Sequence, residues 1–221
     1  TLWEYLEEKA GGDARVKSAL LALRKGLRAL LRLIPDESGR VRAMHITSME
    51  SLQRPEVIRH VDRLLSNYEP PQGCVVLVLP GEFLDRPYIR DSLVSWLINQ
   101  LLANNLLGKV HVVINNPVLG PIPYEISEVY PLSQHEYPEP TPNYLRSLSH
   151  SLLLKYLTRL RDRGFTDVII IVGKGGDKGL ISELMKMGLR GVITLEAGSR
   201  QELFSLMPWV IKELGSIQCG N

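Results

Sequence analysis

Apolar positions along residues 14–34 recur with a helical period. Val16, Leu20, Leu23, Leu27, Leu30 and Ile34 step by fours and threes and make one stripe. Asp13 can cap the start of this helix, and Pro35 stops it. Residues 54–68 carry a second amphipathic pattern, with Val57, Val61, Leu64 and Leu65 turned inward and Pro70-Pro71 at the end. Beyond residue 73 the pattern changes character. Short apolar runs at 74–79, 109–115, 167–172 and 191–195 read as strands, and a further short strand is expected over 41–47. Helical patterns follow the runs, reaching to 107, over 144–163, over 180–187 and over 200–214. Strands that are apolar on both faces and alternate with helices predict a parallel sheet covered on both sides. Right-handed crossovers then give an α/β, three-layer, Rossmann-like domain with a mainly parallel sheet over residues 41–221. Residues 1–40 are expected to form an N-terminal helical segment.

Composition narrows the class. Of 221 residues 44% are hydrophobic and 23% charged, and the net charge is +2, which excludes a mainly disordered chain. No apolar stretch reaches the roughly 18 residues of a membrane span. The first ten residues hold Glu4, Glu7 and Glu8 and do not read as a signal peptide, so a cytoplasmic protein is expected. Two cysteines, Cys74 and Cys219, are too few for a disulfide framework or a zinc site.

The small net charge conceals segregation. Residues 1–34 hold 7 basic and 4 acidic side chains, residues 35–142 hold 8 and 13, and residues 143–163 hold 5 and 1. On helix 14–34, Lys17, Arg24, Lys25, Arg28 and Arg32 fall within about a 100° arc with no acid among them. Such a ridge suits phosphate, so tRNA or another nucleic acid is an expected partner; a solvated helix face is the plainer alternative.

In doubly wound sheets ligands bind beyond the carboxyl ends of the strands, which selects the loops 80–92, 115–126, 173–179 and 195–200. The second of these runs on through Tyr130-Pro131 and His135-Glu136-Tyr137-Pro138 and is too long for a simple crossover. The loop 173–179 follows a strand and precedes a helix, as an anion cradle would. It fits neither the P-loop nor the Gly-x-Gly-x-x-Gly pattern, and a tight turn explains it equally well. No metal is expected, because His111 and His135 lack partners at ligand spacing, and His111 reads as a structural residue. No cofactor is indicated either.

Several motifs stand in a telling order. Arg54-Pro55-Glu56-Val57 is followed by Tyr68-x-Pro70-Pro71, by a strand ending in Leu79-Pro80, and by Arg86-Pro87-Tyr88. Leu119-Gly120-x-x-Pro123-x-Glu125, Tyr130-Pro131 and His135-x-Tyr137-Pro138 continue the series. Together they resemble the central domain of archaeosine synthase, the archaeal relative of tRNA-guanine transglycosylase. The resemblance implies a uracil-DNA-glycosylase-like fold and a place in archaeal tRNA modification. It also implies a signature of Pro-Cys, three residues, Lys-Pro-Tyr, two residues, Ser, two residues, His. Here Pro80, Pro87 and Tyr88 match, with one additional residue between Gly81 and the Pro-Tyr pair. Gly81 stands for Cys, Arg86 for Lys, Asp91 for Ser and Val94 for His. A guanidinium stays protonated and cannot replace a lysine nucleophile, so covalent catalysis has no evident nucleophile in this loop.

Three functions remain open at this point. One is a tRNA-modification-associated protein that binds RNA or a nucleobase, with or without a protein partner from that process. Another is a nucleobase- or nucleotide-directed enzyme with a rebuilt site. There Asp91 or Glu125 would be the acid or base, and Arg86, Tyr88, Asn115 and His135 would hold the ligand. The last is a non-catalytic scaffold. Arg86, Tyr88, Asp91, Asn115 and Glu125 are expected to share one concavity, because the strands carrying their loops are consecutive.

Overall fold

A computed structural model of the chain describes residues 44–129, 131–133, 135–175 and 178–219. The helix expected over 14–34 and its cationic ridge lie outside these residues. Seven strands and six helices follow in chain order among the described residues. They are β1 (Met44–His45), α1 (Met49–Leu52), α2 (Pro55–Asp62), β2 (Val75–Pro80), α3 (Ser92–Ala103), β3 (Val110–Asn116) and β4 (Gly120–Pro123). After them come β5 (His135–Glu136), α4 (Asn143–Asp162), β6 (Asp167–Gly173), α5 (Lys178–Lys186), β7 (Gly191–Ala197) and α6 (Arg200–Ser216).

Five strands form the main sheet, in the order β4-β3-β2-β6-β7. The four strands expected from sequence are all mutually parallel, with Val78 opposite both Val113 and Ile170. The side chains of one strand alternate between two cores, as the pleat requires. Val75, Leu77 and Leu79 pack with Leu93, Leu97 and Leu101 of α3 and with Leu203, Met207 and Val210 of α6. Val76 and Val78 pack on the opposite face with Leu153, Leu157 and Leu160 of α4 and with Leu180 and Leu184 of α5. Two apolar faces covered by two helix pairs make three layers, the expected α/β class.

The differences from the sequence reading are local. Residues 120–123, expected within an irregular Pro-rich connection, form β4, which runs antiparallel to β3. Pro121 and Pro123 lack N–H donors and are accommodated because β4 is an edge strand. The strand expected over 41–47 is confirmed among the described residues only at β1, which pairs in parallel with β5. α3 ends at Ala103 and not at 107, because Asn105 turns the chain into the left-handed region at φ 56°. The helix expected over 54–68 is α2 for eight residues and then a π-helical turn over Arg63–Asn67.

The two cysteines, too few for a framework, form a single bond. Cys74 and Cys219, 145 positions apart, are joined in a disulfide that ties the chain after α6 to the start of β2. Lys109 reinforces this by donating from Nζ to the carbonyls of Leu214 (2.7 Å) and Ile217, and Arg190 donates to the Gln218 carbonyl at 2.5 Å. Residues so distant in sequence give no local signal of pairing. Among the described residues no helix is long and apolar enough to cross a membrane.

Candidate functional site

β2 leads to β3 on one side, and the chain then crosses back to place β6 on the other. Strand order therefore reverses between β2 and β6, and a crevice opens beyond the carboxyl ends at such a point. A cleft of about 630 Å³ lies there. Pro80, Glu82 and Phe83 after β2, Asn115 of β3 and the turn Gly173, Lys174, Gly175 after β6 line it, and Asn143, Arg146, Ser147 and His150 of α4 form a wall. Its volume is within the range of small-molecule sites.

Glu82 and Arg146 meet in this cleft, Oε2 to NH1, at 3.5 Å. The other carboxylate oxygen of Glu82 lies over the end of β6, where a Cβ on Gly173 would come within 2.5 Å of it. A glycine at 173 is what lets the carboxylate settle there. Lys174 is paired with Glu202 at 3.0 Å, and Glu202 also accepts the Gly198 N–H at 2.8 Å. The Asn115 amide oxygen accepts from the Ser149 hydroxyl at 3.2 Å. Arg146, Lys174, Glu82, His150 and the amide of Asn115 thus give the cleft hydrogen-bonding groups of both polarities. Among the described residues no three His, Cys, Asp or Glu side chains are placed to hold a metal ion.

Of the five residues expected in one concavity, Asn115 alone lines this cleft. Asp91 is 1% exposed and is the N-cap of α3. It accepts from Leu93 N (2.7 Å), Val94 N (3.1 Å), Asp85 N (2.7 Å) and Arg200 NH1 (2.5 Å). Burial alone would raise its carboxyl, but the Arg200 guanidinium and the backbone N–H groups outweigh it and hold the group below its ordinary range. Glu125 sits on the turn after β4, which runs back toward the amino end of β3. There its Oε1 lies 3.5 Å from His111 Nδ1, and Tyr68 donates to its Oε2 at 2.9 Å. The four-residue separation of His111 and Asn115 along β3 puts Glu125 about 13 Å from the carboxyl edge. Here too burial raises and hydrogen bonds lower, and the result is a carboxyl held low. His111 is fully buried with Nε2 2.8 Å from the Tyr156 hydroxyl, the structural role its sequence position suggested.

Arg86, Tyr88 and His135 do come together, in a brace away from the cleft, with Tyr88 and His135 buried and Arg86 half-buried. Arg86 donates to the His135 carbonyl at 2.9 Å and lies over the Tyr137 ring, 4.4 Å from its centroid. Asn116, which sequence reasoning passed over in favour of Asn115, is the hub. Its Nδ2 donates to the Tyr88 hydroxyl and to His135 Nε2, both at 2.7 Å, and its Oδ1 accepts from Val118 N and Leu119 N at 3.0 and 2.8 Å. The alternation of a strand decides between the neighbours: Asn115 is turned toward Ser149 and the cleft, Asn116 toward the brace. Glu82, Arg146 and His150 were missed as well. Glu82 lay in a selected loop, whereas the two residues of α4 gave no signal distinct from an ordinary helix surface.

Comparison with known proteins agrees with the motifs. The chain is 33% identical to tRNA-guanine(15) transglycosylase from Pyrobaculum aerophilum over 137 residues, 62% of this chain and 26% of that protein. It is 33% identical to the protein of that name from Methanocaldococcus jannaschii over 140 residues (63% and 19%), and 32% identical to that from Saccharolobus solfataricus over 139 residues (62% and 26%). No family profile and no solved structure matches. The chain is therefore similar to archaeal proteins named tRNA-guanine(15) transglycosylase, and the match spans 19–26% of those relatives' length.

Proposed function

We propose that this chain serves tRNA modification as a binding module, holding RNA with a nucleobase or nucleotide in the cleft at the carboxyl edge. The observation that carries this reading is the 33% identity to proteins named for acting on tRNA guanine. The chemistry of the cleft is compatible with it. The Asn115 amide is placed to hydrogen-bond the edge of a base, and Arg146 and Lys174 suit phosphate. The uracil-DNA-glycosylase-like fold and a cytoplasmic setting belong to the same reading. So does an N-terminal segment over 1–40 whose ridge of Lys17, Arg24, Lys25, Arg28 and Arg32 faces the RNA backbone.

Binding is favoured over catalysis by the state of the candidate acids. Asp91 spends its lone pairs on a helix cap and an ion pair, and Glu125 lies at the other end of β3. The test is tRNA affinity at two salt concentrations, for wild type and for Arg24→Glu/Arg28→Glu. The reading expects tRNA to bind and the variant to bind more weakly, with the salt dependence flattened by about one unit of slope for each lost contact. Equal affinities and slopes would remove the ridge from the RNA surface, and absence of tRNA binding by the wild type would end the reading. Mass spectrometry of tRNA nucleosides from a strain lacking the gene then separates a binding role from a catalytic one.

A further inference from the structure

Glu82 occupies an unusual place. The crevice where strand order reverses is where doubly wound sheets receive the anionic part of a ligand. In this molecule that position, between the ends of β2 and β6, already holds a carboxylate. The 3₁₀ turn Gly81–Phe83 sets Glu82 directly after β2. Gly173, by lacking a side chain, lets Oε1 reach across the end of β6, and Arg146 of α4 supplies the facing cation at 3.5 Å. Lys174, the other cation of the cleft, is engaged by Glu202. We infer that Glu82 is a built-in anion that fills the phosphate position of the cleft and holds Arg146 until a phosphate-bearing ligand displaces it.

The pair is suited to exchange. Its separation is long for a charge-assisted hydrogen bond, and both side chains retain contact with solvent, at 24% and 39% exposure. An incoming phosphate meets repulsion from Glu82 and attraction from Arg146 in the same small volume. Removing the Glu82 charge while keeping its shape leaves the attraction unopposed. Two unit charges a few ångströms apart in a partly wet cleft alter an affinity by roughly tenfold. This inference rests on the reading of the cleft as the ligand site, and the chemistry it names is a phosphate group, from RNA or from a small molecule.

The intact chain, wild type, Glu82→Gln and Glu82→Gln/Arg146→Ala, is titrated with inorganic phosphate by phosphorus-31 NMR and with tRNA by filter binding. Glu82→Gln is expected to bind phosphate roughly tenfold more tightly than wild type, and the double variant to lose the gain. A parallel gain for tRNA identifies an RNA phosphate as the displacing group, and a gain for phosphate alone identifies a small anion. Should Glu82→Gln fail to fold, Glu82→Ala is expected to show the same gain. Unchanged or weaker phosphate binding in a folded Glu82 variant overturns the inference. If the wild type still binds tRNA in that case, the inference falls alone; if it binds neither tRNA nor phosphate, the reading of the cleft falls with it.

Discussion

Gly81 stands where the resembled family carries cysteine, and its surroundings explain why a cysteine is not simply interchangeable here. A Cβ at this position would lie 3.0 Å from the Asn115 carbonyl oxygen, 3.1 Å from the Asn116 Cα and 3.1 Å from the Tyr88 hydroxyl. Two of those neighbours belong to the backbone of β3 and yield little. Gly81→Cys is therefore expected to destabilise the fold by about 1–3 kcal/mol, the usual cost of overpacking. A urea titration checks this; an unchanged midpoint would mean that the end of β3 is softer than its burial suggests.

Two buried histidines set a pH response. Burial and the Arg63 charge hold His60 down to about 4; burial, Arg86 and His60 itself hold His135 down to about 3. His135 Nε2 must stay unprotonated to accept from Asn116, so the fold requires the neutral ring. The unfolded chain takes up these protons near 6.5, the folded chain only far below. Stability is thus full above about pH 6.5 and falls as pH drops from there toward 4, by an amount on the order of a few kcal/mol. The lowered carboxyls of Asp91 and Glu125 add to the loss only below their unfolded range, near 4. Melting temperatures at pH 7.5 and pH 5 test this, and a flat profile across that interval would contradict the buried neutral state.

At the scale of elements, α3 depends on its first residue. Asp91 satisfies two N–H groups of the first turn and at the same time binds Arg200 of α6, so one carboxylate joins the two helices that cover the same sheet face. Asp91→Asn keeps an acceptor for the cap and loses the charge that holds Arg200. The expected cost is about 2 kcal/mol, and Asp91→Ala, which also strips the cap, should cost more. The same variant bears on function, because a side chain engaged this way should not contact ligand. If Asp91→Asn abolishes ligand binding while leaving the urea midpoint in place, the structural assignment is wrong and a catalytic Asp91 returns.

For the whole molecule, the Cys74–Cys219 bond closes a loop of 145 positions, which removes much of the unfolded chain's freedom. By the loop-length relation the contribution is about 5 kcal/mol, in a model where the unfolded state bears the effect. Lys109 and Arg190 clamp the same tail by hydrogen bonds and remain after reduction. Thermal melting with and without a thiol reductant, and of Cys74→Ser, is expected to show a large drop in both perturbed samples. Equal melting temperatures in all three would mean that the Cys74–Cys219 bond contributes nothing to stability.

Periodicity alone determined the four parallel strands, their covering helices and the three-layer class, because burial on both faces leaves continuous apolar runs at β2, β3 and β6, and β7 repeats the strand-helix alternation at the sheet edge. Motif order in the sequence likewise carries the likeness to the transglycosylases. The site was legible only as a region. Asn115 lines the cleft because it ends a strand at the carboxyl edge, whereas Arg86, Tyr88 and His135 look equally polar in sequence and are engaged by one another, by Asn116 and by Tyr137 away from it. Whether a polar side chain faces a cleft or braces a core depends on a strand's pleat and on partners up to 117 positions away, as between Arg200 and Phe83. The antiparallel return of β4, which carries Glu125 away from the cleft, and the meeting of Glu82 with Arg146 across 64 positions, arise from the same cause. Local pattern specifies which segments become buried, and only the packed fold specifies which of their polar groups are left to act.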